Sequence, residues 1–197
     1  MKGGSPRFIL ASGSPRRREL LSAAGFQFEV IAPRTPETAE RALTIRELTT
    51  ANATRKALAV ARAQPHAVVL GADTLVALDG NVIGKPADMK EALAIVERLN
   101  GRVHRVCTSV FLCSVAGARR NSFSVISEVE FRNLRRAEIC AYLEKINPLD
   151  KAGAYAAQGY GGEIIREIRG SYTNVVGLPM DETATALARF GVAPVAR

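Results

Sequence analysis

The sequence is poor in the residues that the commonest metal and covalent sites require. It holds only two histidines, His66 and His104, too few and too far apart for a histidine-rich metal centre. Its three cysteines, Cys107, Cys113 and Cys140, are an odd number without C-x-x-C spacing. That excludes a disulfide scaffold and reads as reduced thiols in a cytoplasmic chain. No Ser/His/Asp or Cys/His constellation stands out, so a covalent enzyme intermediate is not expected. Aromatic residues make up only 6%. Arg-Arg pairs occur at 119–120 and 135–136, but the basic residues are spread along the whole chain and no nucleic-acid signature accompanies them. No nucleic-acid partner is expected. No apolar run reaches the ~20 residues of a membrane span, so no membrane partner is expected either. The stretch Met1 to Arg7 precedes only a short apolar run and is not expected to act as a signal peptide. Internal repeats and low-complexity tracts are absent.

What remains is the composition of a globular protein: 197 residues, 47% hydrophobic and 23% charged. The expectation is a single domain spanning 1–197, since no Pro/Ser-rich linker divides it. Twenty-seven basic residues against nineteen acidic ones leave +8, a surplus that suggests an anionic partner.

Strands and helices alternate along the chain. Phe8 to Ser12 reads as a short buried strand, and Gly13-Ser14-Pro15 starts a helix that Gly25 stops. Phe26 to Ile31 alternates like a strand, and Thr44 to Gln64 carries a helical pattern. Ala67 to Gly71 reads as a buried strand. Thr74–Leu78 and Asn81–Gly84 flank Asp79-Gly80, which suits a type I′ hairpin turn. Asp88-Met-Lys-Glu91 resembles a capping box opening a helix to about Asn100. Two alternating runs, His104–Val115 and Asn121–Phe131, suggest an antiparallel pair. Arg135 to Lys145 is helical, 147–162 is turn-rich, Glu163–Ile168 reads as a strand, and a last helix starts near Pro179. Hairpins among alternating strands and helices predict an α/β fold with a mixed sheet.

The most informative stretch is Leu10-Ala-Ser-Gly-Ser-Pro-Arg-Arg-Arg-Glu-Leu-Leu21. Ser14 suits an N-cap and Pro15 the first helical position. Arg16, Arg17 and Arg18 then fill a first turn where the helix dipole favours negative charge. A bound phosphate would resolve the conflict, because backbone N–H groups, serine hydroxyls and guanidinium groups would converge on it. The bland alternative is a solvated arginine-rich helix face. This is neither a Walker loop nor a Rossmann fingerprint.

Asp73 in Gly71-Ala-Asp-Thr74 follows a strand of pure hydrophobics and needs a metal, a cation or backbone donors as partner. Counting outward from the Asp79-Gly80 turn places Thr74 opposite Lys85. A capped strand end with a surface lysine is the plain alternative, and Lys56 on the long helix also reads as a surface lysine in isolation. Glu37, in a proline-containing loop, is a candidate second carboxylate for a divalent cation. Asp150 to Gly159 has the small residues of a loop that lets a ligand approach the backbone, and the Gln158 amide offers a donor beside an acceptor. A turn-rich connection without ligand fits that composition as well. Tyr155, Tyr160 and Tyr172 fit core or rim positions better than base-stacking ones.

Several of these stretches together resemble the Maf family of nucleoside triphosphate pyrophosphatases. They are Ser12-x-Ser-Pro-Arg-Arg-x-Glu-Leu-Leu21, Gly71-Ala-Asp-Thr74, Gly84-Lys-Pro86, Gly101-x-x-His104, Asp150-Lys-Ala-Gly-Ala-Tyr155, Gln158-Gly159 and Asn174-Val-Val-Gly-Leu-Pro179. The resemblance implies a Maf/inosine-triphosphatase-like α/β fold: an elongated mixed sheet flanked by helices, with a cleft between two lobes. It implies a divalent cation, Mg²⁺ or Mn²⁺, and frequent homodimers. Arg16, Thr74 and Gln158 are similar to the residues governing base choice in the dTTP/UTP branch. The family's catalytic aspartate maps onto Asp73, its helix lysine onto Lys56, its Gly-Lys-Pro lysine onto Lys85 and its loop glutamate onto Glu37. Arg34-Thr-Pro36 precedes Glu37 where the family usually has acidic residues.

The reaction so implied is hydrolysis of a pyrimidine nucleoside triphosphate to the monophosphate and pyrophosphate. Ser12, Ser14, Arg16, Arg17, Lys56 and Lys85 would hold the triphosphate. Glu37 and Asp73 would hold the cation, and Asp73 would act as base. Housekeeping removal of non-standard nucleotides fits that activity. The alternatives are a nucleotide-binding regulator of cell division or septum formation without turnover, and a pyrophosphatase for purine or modified nucleotides.

Overall fold

Short apolar runs bounded by turn residues become strands, and the 3.6-period stretches between them become helices. The computed structural model describes residues 6–35 and 43–195. In chain order the elements are β1 (Phe8–Leu10), α1 (Pro15–Ala23), β2 (Glu29–Val30), α2 (Ile45–Ala61), β3 (Val68–Leu78) and β4 (Asn81–Ile83). There follow α3 (Met89–Leu99), β5 (Val103–Ser114), β6 (Arg119–Phe131), α4 (Arg136–Glu144), a 3-10 turn (Ala152–Ala154), α5 (Gly161–Ile164), β7 (Ile165–Arg169), α6 (Tyr172–Val176) and α7 (Met180–Arg189). The strand order is β2-β1-β3-β5-β6-β7, with β4 paired to β3. β1 runs parallel to β2 and β3, whereas β4 on β3 and β7 on β6 are antiparallel. The expected mixed α/β sheet is therefore present. Among the described residues no helix is long and apolar enough to cross a membrane.

The chain divides into two compact units, one of residues 1–73, 108–124 and 177–197, the other of 74–107 and 125–176. In the first unit, period-2 alternation sorts β1 and the start of β3 onto two faces. Phe8, Leu10, Val68 and Leu70 join Leu21 of α1 and Leu187 of α7 in one buried cluster. Ile9, Ala11 and Val69 join Ala57, Val60 and Ala61 of α2 in another. Both faces of these parallel strands are covered, which is why their sequences read as unbroken hydrophobic runs. α2 begins at a complete capping box, with the Thr44 hydroxyl accepting from the Glu47 amide and the Glu47 carboxylate accepting from the Thr44 amide.

In the second unit the hairpin closes as the Asp-Gly pair dictates. Asp79 and Gly80 have φ of 50° and 77°, and the register runs Leu78↔Asn81 to Val76↔Ile83. The ladder stops there, so the expected pairing of Thr74 with Lys85 lies beyond its last pair. Asp88 caps α3 by accepting from the Glu91 amide, but the Glu91 carboxylate reaches the Ala87 amide, one residue further back than a capping box requires. Three other expectations are corrected. β3 is one continuous strand through Gly71-Ala-Asp-Thr74, because Gly71 and Ala72 are small enough to pass under neighbours without a break. The alternating run 26–31 forms only a two-residue strand. The turn-rich region holds the 3-10 turn, α5 begins at Gly161, and β7 starts only at Ile165.

His104, of the Gly101-x-x-His motif, is buried in this unit between Phe131 and Tyr155, with ring centroids 4.7 and 5.3 Å away. Its Nε2 lies 2.9 Å from the Tyr155 hydroxyl, and its Nδ1 is buried without a hydrogen-bond partner. Burial holds its pKa at about 4, below its ordinary 6.5. The unfolded chain therefore binds a proton that the folded one refuses, so this contribution to stability is complete above pH 6.5 and is lost as pH falls towards 4. Urea unfolding at pH 7 and pH 4.5 should differ by about 2–3 kcal/mol on this account. His104→Gln, which keeps a polar group against Tyr155 but does not titrate, should remove most of that difference.

Candidate active site

Between β1 and α1 the chain turns through Ser12, Gly13 and Ser14. Ser12 is buried, and its hydroxyl oxygen accepts from the Ser14 amide at 3.2 Å and from Arg17 Nη1 at 3.1 Å. Both lone pairs are thereby occupied, and the hydroxyl hydrogen is left as the group Ser12 can offer. Ser14 precedes α1 with extended backbone, but its side chain makes no capping bond, and Pro15 is the first helical residue. The first turn of α1 contains no acidic residue, as the sequence indicated. The three arginines separate by helical geometry: Arg16 is half-buried, Arg17 buried and Arg18 exposed. Arg17 also donates from Nε to the Gly177 carbonyl at 2.8 Å, tying the α1 start to the segment before α7. Arg17 thus has a structural duty that the Arg-Arg-Arg run did not reveal.

The topology locates this loop. From β1 the chain goes through α1 to β2 on one side, then through α2 to β3 on the other. α1 covers one face and α2 the opposite face. Strand order therefore reverses at β1, and open α/β sheets bind ligands outside the carboxyl ends of strands at such a switch point. β1 is paired with β3 at Leu10↔Leu70, and the Ala11 amide donates to the Leu70 carbonyl at 2.7 Å. Ser12 follows in the loop after β1, whereas β3 continues through Ala72. Asp73 is the next residue.

Asp73 shares the face of Val69 and Gly71, the face covered by α2. It is 3% exposed. Lys56 Nζ lies 2.6 Å from its Oδ1, and Asn52 Nδ2 donates to its Oδ2 at 3.0 Å. Lys56 is accordingly no solvated surface lysine; its side chain is only 14% exposed. Asn52 is itself buried and accepts a hydrogen bond from Arg55 Nη2. The seat of α2 is set by small groups. An added Cβ at Gly71 would stand 2.3 Å from the Ala53 carbonyl oxygen and 2.7 Å from the Ala57 amide nitrogen. A hydroxyl cluster fixes the same helix one turn earlier: Thr49 and Thr50 both bond Ser109 Oγ, at 2.6 and 3.1 Å, and Ser109 bonds Ser124 at 2.8 Å.

Ser12, Ser14 and Arg17 are thus joined to one another, as are Lys56 and Asp73, all in the first unit. Thr74, half-buried, continues β3 into the second unit, where Lys85 is exposed and Gln158 half-buried. Glu37 lies outside the described residues. Among the described residues no cluster of three or more His, Cys, Asp or Glu side chains could hold a metal ion. Asn52 and Arg55 were not among the residues singled out in the sequence. The signal for Asn52 was its i, i+4 spacing to Lys56, which puts both side chains on one face of α2.

A cation-rich helix start follows β1 and a cation-paired carboxylate stands on its neighbour β3, in a mixed sheet of the α/β class. The comparisons with known proteins agree with that class. The model of the family described as Maf-like protein matches residues 7–190. A dTTP/UTP pyrophosphatase of Akkermansia muciniphila is 44% identical over 94% of this chain and 97% of its own. One from Aromatoleum aromaticum is 46% identical over 97% and 98%, and one from Bacillus pumilus 44% over 95% and 98%. The chain belongs to the Maf family.

Gly71→Ala tests the seat of α2. The methyl group must displace helix backbone, so stability should fall by about 1–3 kcal/mol in urea unfolding, the usual cost of overpacking. A variant as stable as the parent would show that α2 does not rest on β3 at this point.

Proposed function

We propose that this protein hydrolyses pyrimidine nucleoside triphosphates, dTTP and UTP, between the α and β phosphates, releasing the monophosphate and pyrophosphate. The observation that carries the reading is a buried carboxylate paired with Lys56, that of Asp73 on β3, the strand next to β1, which leads into the serine- and arginine-bearing start of α1. The dTTP/UTP pyrophosphatase activity for which its relatives are named supports the same substrate class. The Ser12 hydroxyl, Ser14, the α1 amides and Arg16 supply donors for phosphate oxygens. Arg17 orients Ser12, and Lys56 and Lys85 add positive charge. Thr74 and Gln158 read the base, the Gln158 amide matching a pyrimidine edge with one donor beside an acceptor.

Asp73 is a hard oxygen donor, which fits Mg²⁺ or Mn²⁺ held jointly with substrate phosphates and not by a protein cage. With Glu37 it would hold such a cation, and each Asp73 oxygen keeps a lone pair beyond its contact with Lys56 or Asn52. When bound, the cation neutralises charge developing on the phosphate oxygens. Asp73 takes a proton from water as the water oxygen bonds to the α-phosphorus, and the bond from that phosphorus to the bridging oxygen breaks. Pyrophosphate leaves with that oxygen. Positioning and charge stabilisation account for the acceleration, as in other phosphoryl chemistry. A cytoplasmic role in clearing non-standard pyrimidine nucleotides fits this activity.

A panel of nucleoside triphosphates with Mg²⁺ or Mn²⁺, scored for pyrophosphate, should show highest turnover with dTTP and UTP; orthophosphate as product would assign a different bond. Asp73→Asn keeps the side-chain shape but removes the base, and kcat should drop about 10²–10⁴-fold. Gln158→Glu replaces the amide donor by a second acceptor. It should change the ratio of kcat/KM between pyrimidine and purine substrates while leaving the melting temperature within a few degrees. An unchanged substrate profile would remove Gln158 from base recognition.

A further inference from the structure

A carboxylate held at one oxygen is not held in one orientation. The χ2 torsion of aspartate is broad, so the Lys56 contact alone leaves the second oxygen of Asp73 a wide arc. The second contact comes from Asn52, one helical turn before Lys56 on α2. An amide has one donor end and one acceptor end. Here the donor end faces the acceptor-only carboxylate of Asp73, and the acceptor end faces the donor-only guanidinium of Arg55. Reversing the amide would set oxygen against oxygen and nitrogen against nitrogen, so its neighbours determine its orientation from both sides. Arg55 makes this contact although its own Nε is buried without a hydrogen-bond partner. Leucine has similar size but would leave Asp73 Oδ2 and Arg55 without this link. Aspartate would place a second carboxylate against the first.

We propose that Asn52 is a positioning residue that links Arg55 to Asp73 and, with Lys56, fixes the plane of the Asp73 carboxylate for its attack-promoting role. The inference rests on the reading of Asp73 as the base. A fixed plane aims one lone pair at the position of the attacking water, and misplacement of a reacting group by about 1 Å can cost on the order of 100-fold in rate.

The test measures kcat and KM for UTP hydrolysis in Asn52→Leu, Asn52→Asp, Arg55→Met, Asp73→Asn and two double variants. Asn52→Leu should lower kcat about 10–100-fold with KM within about threefold, and Asn52→Asp should be slower still. Arg55→Met, at a half-buried position, should lower kcat about 3–10-fold, with the Asn52→Leu/Arg55→Met double no slower than Asn52→Leu alone. Adding Asn52→Leu to Asp73→Asn should cost nothing further. In the protein without nucleotide or metal, the Asn52 side-chain amide signals in a ¹H–¹⁵N spectrum should shift in both Arg55→Met and Asp73→Asn. Parental kcat in Asn52→Leu and Arg55→Met, or full additivity with Asp73→Asn, overturns this inference while leaving Asp73 as the base. Parental activity in Asp73→Asn overturns both. Should Asn52→Leu not fold, Arg55→Met and the amide spectrum decide.

Discussion

An ionised carboxylate in the middle of a strand between apolar neighbours is costly unless charge and hydrogen bonds meet it there. Asp73 is such a group, and much of the local architecture answers to it. Lys56 and Asn52 can reach it only if α2 lies close against β3, and that closeness is set by Gly71, whose missing side chain admits the backbone of Ala53 and Ala57. Thr49, Thr50, Ser109 and Ser124 satisfy one another where the same helix passes over β5 and β6. A larger residue at any of the close positions would move the helix, and the cation would leave the carboxylate before any reacting group was altered. Truncating one partner of a buried ion pair is costly because the other charge stays behind. The pair therefore constrains the fold as well as the chemistry.

The second constraint is topological. Three parallel strands with helices on opposite faces produce a reversal of order at β1, whose carboxyl end stands beside Leu70 within β3. There the chain positions a helix start with three arginines and no acid in its first turn. On the proposed reading, phosphate would be met there by backbone amides together with basic side chains. Arg17 shows that those basic side chains divide their work. Buried between Ser12 and the Gly177 carbonyl, it ties the loop in place.

Much of the fold was legible in the sequence because its signals are local. Pro15 after Ser14, the Asp79-Gly80 turn and the 3.6-period run of α2 each specify an element from within a few residues. The continuity of β3 was not legible, because Gly71-Ala-Asp-Thr74 looks like the end of a strand to any local reading. Only the close approach of α2, a contact between residues some fifteen apart, shows why small residues there continue the strand. The short helices at 161–164 and 172–176 are too brief to carry a period. In the site, Asp73 stood out because a charge after a hydrophobic run demands a partner. Asn52 did not, since a neutral polar residue on a helix suits solvent as well as a core.

The net charge of +8 takes on a different meaning once the side chains are placed. Many of the arginines stand in exposed pairs: Arg7 with Glu29, Arg102 with Asp79, Arg136 with Glu97, and Arg166 and Arg169 with Glu130. Pairs of this kind add little stability, about 0–1 kcal/mol each, but they cancel the local field. The first turn of α1 holds three arginines and no acid of its own. On the proposed reading, a compact anion such as a triphosphate would be held at this helix start, where the dipole favours negative charge.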